Sequence, residues 1–164
     1  MLQTFKLRKF SVADLERVKN INQTCLPENY TDYFFIDLHR RFPDTFIVAE
    51  EGEVIGYIMC RIEKGLSNFI FHGLIKKGHI VSVAVLPSHR RKGIGKALVL
   101  KALEAMQSYK AKQCFLEVRV TNKPGISLYK NLEFQVNRTI RGYYADGEDA
   151  YVMTKNLVQT KKSN

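Results

Sequence analysis

The chain has 164 residues, 45% of them hydrophobic and 26% charged, with 26 Lys and Arg against 16 Asp and Glu for a formal net charge of +10. That is the balance of an ordinary globular chain long enough for one domain with a full core, and no run of 18 apolar residues provides a membrane span. The positive charge favours an anionic partner, whether a nucleic acid, a nucleotide-bearing cofactor, an acidic peptide or an anionic membrane. Three cysteines, Cys25, Cys60 and Cys114, form no CxxC pair. They argue against a disulfide framework or zinc ribbon and for buried thiols in a reducing cytosol. The start Met1-Leu2-Gln3-Thr4-Phe5 lacks a long apolar segment, so no signal peptide is expected.

In chain order, 4–10 alternates as a strand, and Ser11-x-x-Asp14 is a capping signal for a helix carrying Val12, Leu15, Val18 and Ile21. Leu26-Pro27-Glu28-Asn29-Tyr30 breaks that helix, because the residue before proline disfavours the helical region. A second helix is expected over 31–41. Runs at 45–49 and 54–62, joined by Glu51-Gly52, predict a hairpin. The stretch 63–78 mixes Gly, Ser, Asn and Lys around Phe69-Ile70-Phe71 and reads as a long loop. Residues 78–86 predict an apolar strand, 97–105 a helix and 113–120 a strand. A short helix is expected over 122–132, with Pro124 tolerated near its start. Strands at 134–140 and 150–157 follow, and the basic tail 159–164 is expected to fray. There is no internal repeat. Mixed strands and helices with a central strand–helix–strand unit give an α/β (α+β) domain over 1–158 with a mixed sheet.

The strand Ile80–Leu86 runs into Arg90-Arg91-Lys92-Gly93-Ile94-Gly95-Lys96 and then into the helical pattern. Amides at a helix start lack partners and, with the helix dipole, form a phosphate site. Gly93 and Gly95 lack Cβ and would let a pyrophosphate approach the main chain. The string is neither GxxxxGK[ST] nor a full GxGxxG, so a plain solvated basic turn is the alternative.

Five strings in order resemble the GCN5-related N-acetyltransferase (GNAT) family over about the whole chain: Leu26–Tyr30, Gly78–Val85, Arg90–Gly95, Leu116-Glu117-Val118-Arg119-x-x-Asn122, and Tyr143–Tyr151. Within it the chain is most similar to protein N-terminal acetyltransferases, above all archaeal enzymes related to the NatA catalytic subunit. The bacterial ribosomal-protein alanine acetyltransferase is more distant. The resemblance implies a single mixed, largely antiparallel seven-stranded sheet with about four helices. It implies acetyl-CoA as co-substrate, its pyrophosphate on Arg91, Lys92, Gly93, Ile94, Gly95 and Lys96. Its pantetheine arm would add as a strand along Val83, Ala84 and Val85.

The implied reaction is attack of an amine on a thioester, for which an ammonium must first lose a proton. An α-amino group, with a pKa of about 7.7–8.0 against about 10.4 for lysine, needs only modest help. On a strand, His79 shares a face with Val81, Val83 and Val85, and Glu117 shares one with Phe115 and Arg119. The resemblance gives both a role on the amine. The alternatives are a structural histidine, a carboxylate paired with Arg119 or a lysine, and a metal shared by the two. Tyr129 matches the family's proton donor to the leaving thiolate, or packs the last helix. Asn122 contacts the cofactor, or caps a helix. Leu26, Glu28, Tyr30, Tyr143 and Tyr144 match loops flanking the family's peptide groove, where Glu28 anchors or helps deprotonate the amine, or caps a helix. The insertion 64–77 is expected to close one side of that groove.

The leading expectation is therefore transfer of acetyl from acetyl-CoA to the α-amino group of Ser-, Ala- or Met-type N-termini, in the cytoplasm, without a required metal. The partners are protein N-termini or nascent chains, with ribosome proximity as a further expectation and no membrane partner. A lysine or small-amine acetyltransferase is the runner-up. A nucleic-acid-binding module is a third reading, disfavoured because the basic residues are spread along the chain.

Overall fold

The computed structural model of the protein describes residues 4–67 and 73–157. Backbone contacts divide the chain into two compact units. The first holds the chain up to Arg61 together with Ile80–Ser108, and the second holds Ile62–His79 and the chain from Tyr109 onward. Two of the boundaries therefore fall inside long strands, and the third follows a helix.

In the first unit, β1 (Lys6–Lys9) leads into a one-turn helix and then α1 (Leu15–Cys25). The capping signal is realised: Ser11 N donates to Asp14 Oδ2 at 2.9 Å, and the same carboxylate accepts from Arg8 at 2.7 and 2.8 Å. Leu26 takes an extended conformation (φ −131°) and ends α1 one residue before Pro27, as the pre-proline restriction requires. Thr31 caps α2 (Asp32–Arg41) by accepting from Phe34 N at 3.2 Å, and three basic residues close its last turn against the helix dipole. Strand β2 (Phe46–Glu51) pairs antiparallel with β1 and with β3 (Glu53–Leu66). The apolar faces meet in one core of Phe10, Val18, Ile21, Phe35, Leu38, Phe46, Val48, Tyr57 and Met59. Phe35 and Phe46 have no exposure, so truncating either to Ala should cost about 3–5 kcal/mol. The end of β4 (Leu74–Val85) and α3 (Ile94–Ser108) complete this unit. Gly56 lets β3 come close to them. A Cβ there would lie 3.0 Å from the Ala84 carbonyl oxygen and 3.5 Å from Leu98.

In the second unit, β5 (Gln113–Arg119) pairs parallel with the start of β4 and antiparallel with β7 (Ala150–Asn156), which pairs in turn with β6 (Gln135–Ile140). Between β5 and β6, α4 (Lys123–Asn131) begins at Asn122, whose Oδ1 accepts from Gly125 N at 3.0 Å. Cys114, Leu116 and Val118 of β5 are buried, while Phe115, Glu117 and Arg119 on its other face are half-buried. The strands hydrogen-bond in the order β1-β2-β3-β4-β5-β7-β6, a seven-stranded mixed sheet accompanied by four α-helices among the described residues.

Most of the expected loop at 63–78 is strand. β3 continues to Leu66 and β4 begins at Leu74, so the expected loop is strand at both of its ends, and residues 68–72 between them lie outside the described residues. The glycines and lysines that read as loop punctuation are accommodated within the ladder. Gly65 faces the aliphatic stem of Lys77, where a Cβ in place of its hydrogen would lie 3.2 Å from Lys77 Cδ, and Lys77 Nζ reaches back to the Leu66 carbonyl at 3.1 Å. The tail 159–164 also lies outside the described residues.

Candidate active site

In the second unit the parallel ladder aligns Lys77 with Gln113, Gly78 with Cys114 and His79 with Phe115. That register places His79 beside the half-buried face of β5. Its ring stacks on Phe115 (centroids 4.4 Å, planes 7° apart), and Nε2 lies 2.7 Å from Glu117 Oε2. Both side chains are largely shielded, with relative exposures of 10% and 16%. With Glu117 ionised, Nε2 carries the proton and donates it. Nδ1 then faces Glu63 Oε2, 3.8 Å away, and is the ring nitrogen able to take another proton.

Glu117 thus meets His79. Arg119 turns to the β6–β7 loop, where Nη1 meets Asp146 Oδ2 at 2.9 Å and Glu148 Oε2 at 2.6 Å and its guanidinium lies 4.0 Å over the Tyr144 ring. Glu148 also accepts from the Thr121 hydroxyl. Hydrogen bonds hold the Asp146 and Glu148 carboxyls below the usual range: for Asp146 first from the Glu148 amide, for Glu148 first from the Thr121 hydroxyl, with Arg119 adding to both. The loop carrying Tyr143 and Tyr144, which meet edge to face at 5.0 Å, is thereby tied to the end of the strand bearing Glu117. Lys77 also touches Phe115, its Nζ 4.7 Å from the ring centroid, and burial lowers its affinity for a proton. Tyr129 on α4 is buried and meets Phe134 edge to face at 5.7 Å. The packing expected of it as an alternative is therefore present. So is the capping alternative for Asn122. Among the described residues no group of three or more His, Cys, Asp or Glu is placed to hold a metal ion.

In the first unit, Val83, Ala84 and Val85 lie on β4 beyond the three-pair ladder with β5. The turn after them is tied back to the strand: Arg90 Nε donates to the Val85 carbonyl at 2.9 Å, and Leu86 N to Ile55 O at 2.9 Å. Arg91 (φ 65°) and Gly93 (φ 80°) are left-handed, which turns the exposed basic run into the start of α3. The bond from Ala97 N to Gly93 O, 3.0 Å, is of the i to i−4 helical kind, so the amides of Ile94, Gly95 and Lys96 belong to the turn that helices leave unpaired internally. Arg91, Lys92, Gly93 and Lys96 are exposed. A phosphate-bearing ligand fits such a turn. The Leu26–Tyr30 loop belongs to this unit as well. Leu26 N donates to Asn22 O, the Glu28 carbonyl accepts from Asn22 Nδ2 at 3.0 Å, and Tyr30 OH reaches the Val81 carbonyl at 3.4 Å.

Sequence reasoning did not pick out Glu63, Lys77, the clamp role of Arg119, or the buried partners Asn22, Tyr57 and Ser82. The available signal was polarity in the wrong place: Asn22 falls on the same helical face as Val18, and Tyr57 and Ser82 sit inside apolar strands.

The His79–Glu117 contact thus lies in the second unit and the basic strand-to-helix turn in the first. Residues 15–134 match the acetyltransferase (GNAT) family, and the chain belongs to that family. It is 48% identical over 156 residues to an N-alpha-acetyltransferase of Sulfurisphaera tokodaii, covering 93% of each chain. Its fold is similar to the crystal structure of Ard1 from Thermoplasma volcanium, with a TM-score of 0.81, 32% identity and coverage of 95% of this chain and 99% of that one. It is also similar to Arabidopsis thaliana Naa50 in complex with the bisubstrate analogue CoA-Ac-MVNAL (TM-score 0.79, 26% identity, 93% and 98% coverage).

Proposed function

We propose that this protein is an N-alpha-acetyltransferase that moves the acetyl group of acetyl-CoA to the free α-amino group of protein N-termini. The observation that carries the mechanism is the 2.7 Å contact of His79 Nε2 with Glu117 Oε2, flanked by Glu63. Bound acetyl-CoA supplies a thioester carbonyl, and the exposed turn Arg91–Lys96 together with Val83, Ala84 and Val85 would hold its pyrophosphate and pantetheine arm. The chain's own work is proton handling and orientation. The His79–Glu117 pair takes a proton from the incoming ammonium, directly or through water. As the N–C bond forms and the C–S bond breaks, Tyr129 gives a proton to the leaving sulfur, a fitting donor for a thiolate. By the family resemblance, Leu26, Glu28 and Tyr30 of the first unit, and Tyr143 and Tyr144 of the second, are each assigned to the incoming peptide, where they would set the amine's direction.

The residues after Arg61 carry the whole of the excess positive charge, which supports action on nascent chains near an anionic surface such as ribosomal RNA. Cys25, Cys60 and Cys114, which form no disulfide among the described residues, fit a cytoplasmic setting. The test is acetyl-CoA with peptides of varied first residue, plus one lysine-bearing peptide with a blocked N-terminus. Acetylation of free N-termini is the expected result. Acetylation of the blocked peptide alone would replace this reading with a lysine acetyltransferase.

A further inference from the structure

We propose that Asn22 and Tyr57 are positioning residues for the incoming N-terminus, acting through a buried hydrogen-bond chain that fixes the main chain of the peptide-entrance loop at Glu28. The inference rests on the reading above and adds residues to it that touch neither substrate nor reacting atoms. Between Cys25 and Asp32 the backbone is irregular. A loop without its own ladder takes its position from what its carbonyls and amides are tied to. Asn22 Nδ2 has two hydrogens, and both are used: one goes to the Glu28 carbonyl at 3.0 Å, the other to Tyr57 OH at 3.1 Å. The Tyr57 hydroxyl, which accepts from Asn22, also meets Ser82 Oγ 2.7 Å away, and either hydroxyl can be the donor there.

The three side chains are buried, with residue exposures of 1% for Asn22, 0% for Tyr57 and 6% for Ser82. Burial pushes the Tyr57 phenol far up, so the hydroxyl keeps its proton. The hydrogen-bond chain starts on β4 at Ser82, immediately before the Val83–Val85 stretch, crosses β3 at Tyr57 and α1 at Asn22, and ends on Glu28. Tyr30 OH makes a second tie to the same strand at Val81 O. The position of the peptide loop is thereby keyed to the strand assigned to the donor's arm. Buried polar groups with all partners in place hold one arrangement, because every alternative strands a donor or acceptor in the core.

The test is steady-state kinetics on the full chain with a free-N-terminus peptide and acetyl-CoA varied in turn. Asn22→Ala should raise the peptide KM about tenfold, the change expected when an ordered hydrogen bond is lost from a binding loop. It should leave the acetyl-CoA KM within about twofold, since the cofactor turn is untouched. Tyr57→Phe should move the peptide KM in the same direction, and Asn22→Ala with Tyr57→Phe should cost no more than Asn22→Ala alone, because both break one chain. Ile21→Val, a neighbouring core change on α1 with no bond to the loop, should lower the melting temperature without moving the peptide KM. An Asn22→Ala enzyme with a wild-type peptide KM overturns the proposal. If that variant does not fold, an unchanged peptide KM in Tyr57→Phe overturns it instead. Equal rises in Ile21→Val and Asn22→Ala would also overturn it, by making the effect one of general stability. A wild-type chain that acetylates no free N-terminus fails differently, by removing the functional reading itself.

Discussion

Replacing either half of the His79–Glu117 pair should separate chemistry from stability, because the two side chains are held by different contacts. Glu117→Gln keeps the shape and can still meet His79 across the 2.7 Å contact, but an amide cannot take up a proton. Its stability should fall by no more than about 1 kcal/mol, the net worth of an ordinary hydrogen bond, whereas kcat should fall by about 10²–10⁴ if the pair is the general base. His79→Ala also deletes the ring stacked on Phe115 at 4.4 Å and leaves Glu117, 16% exposed, without its closest partner. The lost charged hydrogen bond is worth about 1.5–3 kcal/mol and the aromatic pair about 0.5–1.5 kcal/mol, together about 2–4.5 kcal/mol. For a chain of this length that is a fall in Tm of about 4–18 °C. Calorimetry gives the Tm, and CoA thiol release at saturating substrates gives kcat. A Glu117→Gln enzyme within threefold of wild-type kcat across the pH range would refute the base assignment. A Glu117→Gln protein as unstable as His79→Ala would refute the partition of contacts.

Three further outcomes follow from single contacts. Gly93→Ala forces a side chain into a φ of 80°, a strain of about 1–2 kcal/mol, and should raise the acetyl-CoA KM while leaving the peptide KM unchanged in the same assay. Arg119→Gln releases Asp146, Glu148 and the Tyr144 ring together, so the peptide KM should rise and limited proteolysis should begin cutting within 142–149, with the acetyl-CoA KM unmoved. Arg8 and the Ser11 amide lower the Asp14 carboxyl, first through the Arg8 hydrogen bonds, so its folded pKa lies below the unfolded value of about 3.9. The stability it contributes is present above that unfolded value and is lost as pH falls through the folded one. The Tm gap between wild type and Asp14→Asn should therefore be full at pH 6 and shrink below about pH 4, and a gap that widens in acid would contradict the pairing.

The elements with strong local signals were legible in the sequence because their reasons are local. Pro27 stops α1, Thr31 and Asn122 cap the helices that follow them, and Glu51-Gly52 turns one strand into the next. The stretch 63–78 misled for the opposite reason. Its Lys and Gly residues weaken a strand only when judged alone. In the fold, Lys77 lays its stem over Gly65 and its ammonium over Phe115, and this tertiary contact turns loop-like residues into strand. The His79–Glu117 contact was half legible. Face alternation put His79 with Val81, Val83 and Val85 and Glu117 with Phe115 and Arg119, but only the parallel register of His79 with Phe115 brings the two together, and register between distant strands leaves no mark in either string.

Asn22, Tyr57 and Ser82 show what such distant register does for function. Each costs desolvation where it stands, and an apolar residue in any one place would strand its neighbour's hydrogen-bonding group in the core. The three are therefore stable only together, and together they end on a loop carbonyl rather than on another core group. A core needing stability alone would be served by apolar side chains of the same volume. A buried polar chain that terminates at Glu28 instead gives core space to the position of an irregular segment, which is what a transferase needs where a flexible peptide end must meet a fixed thioester.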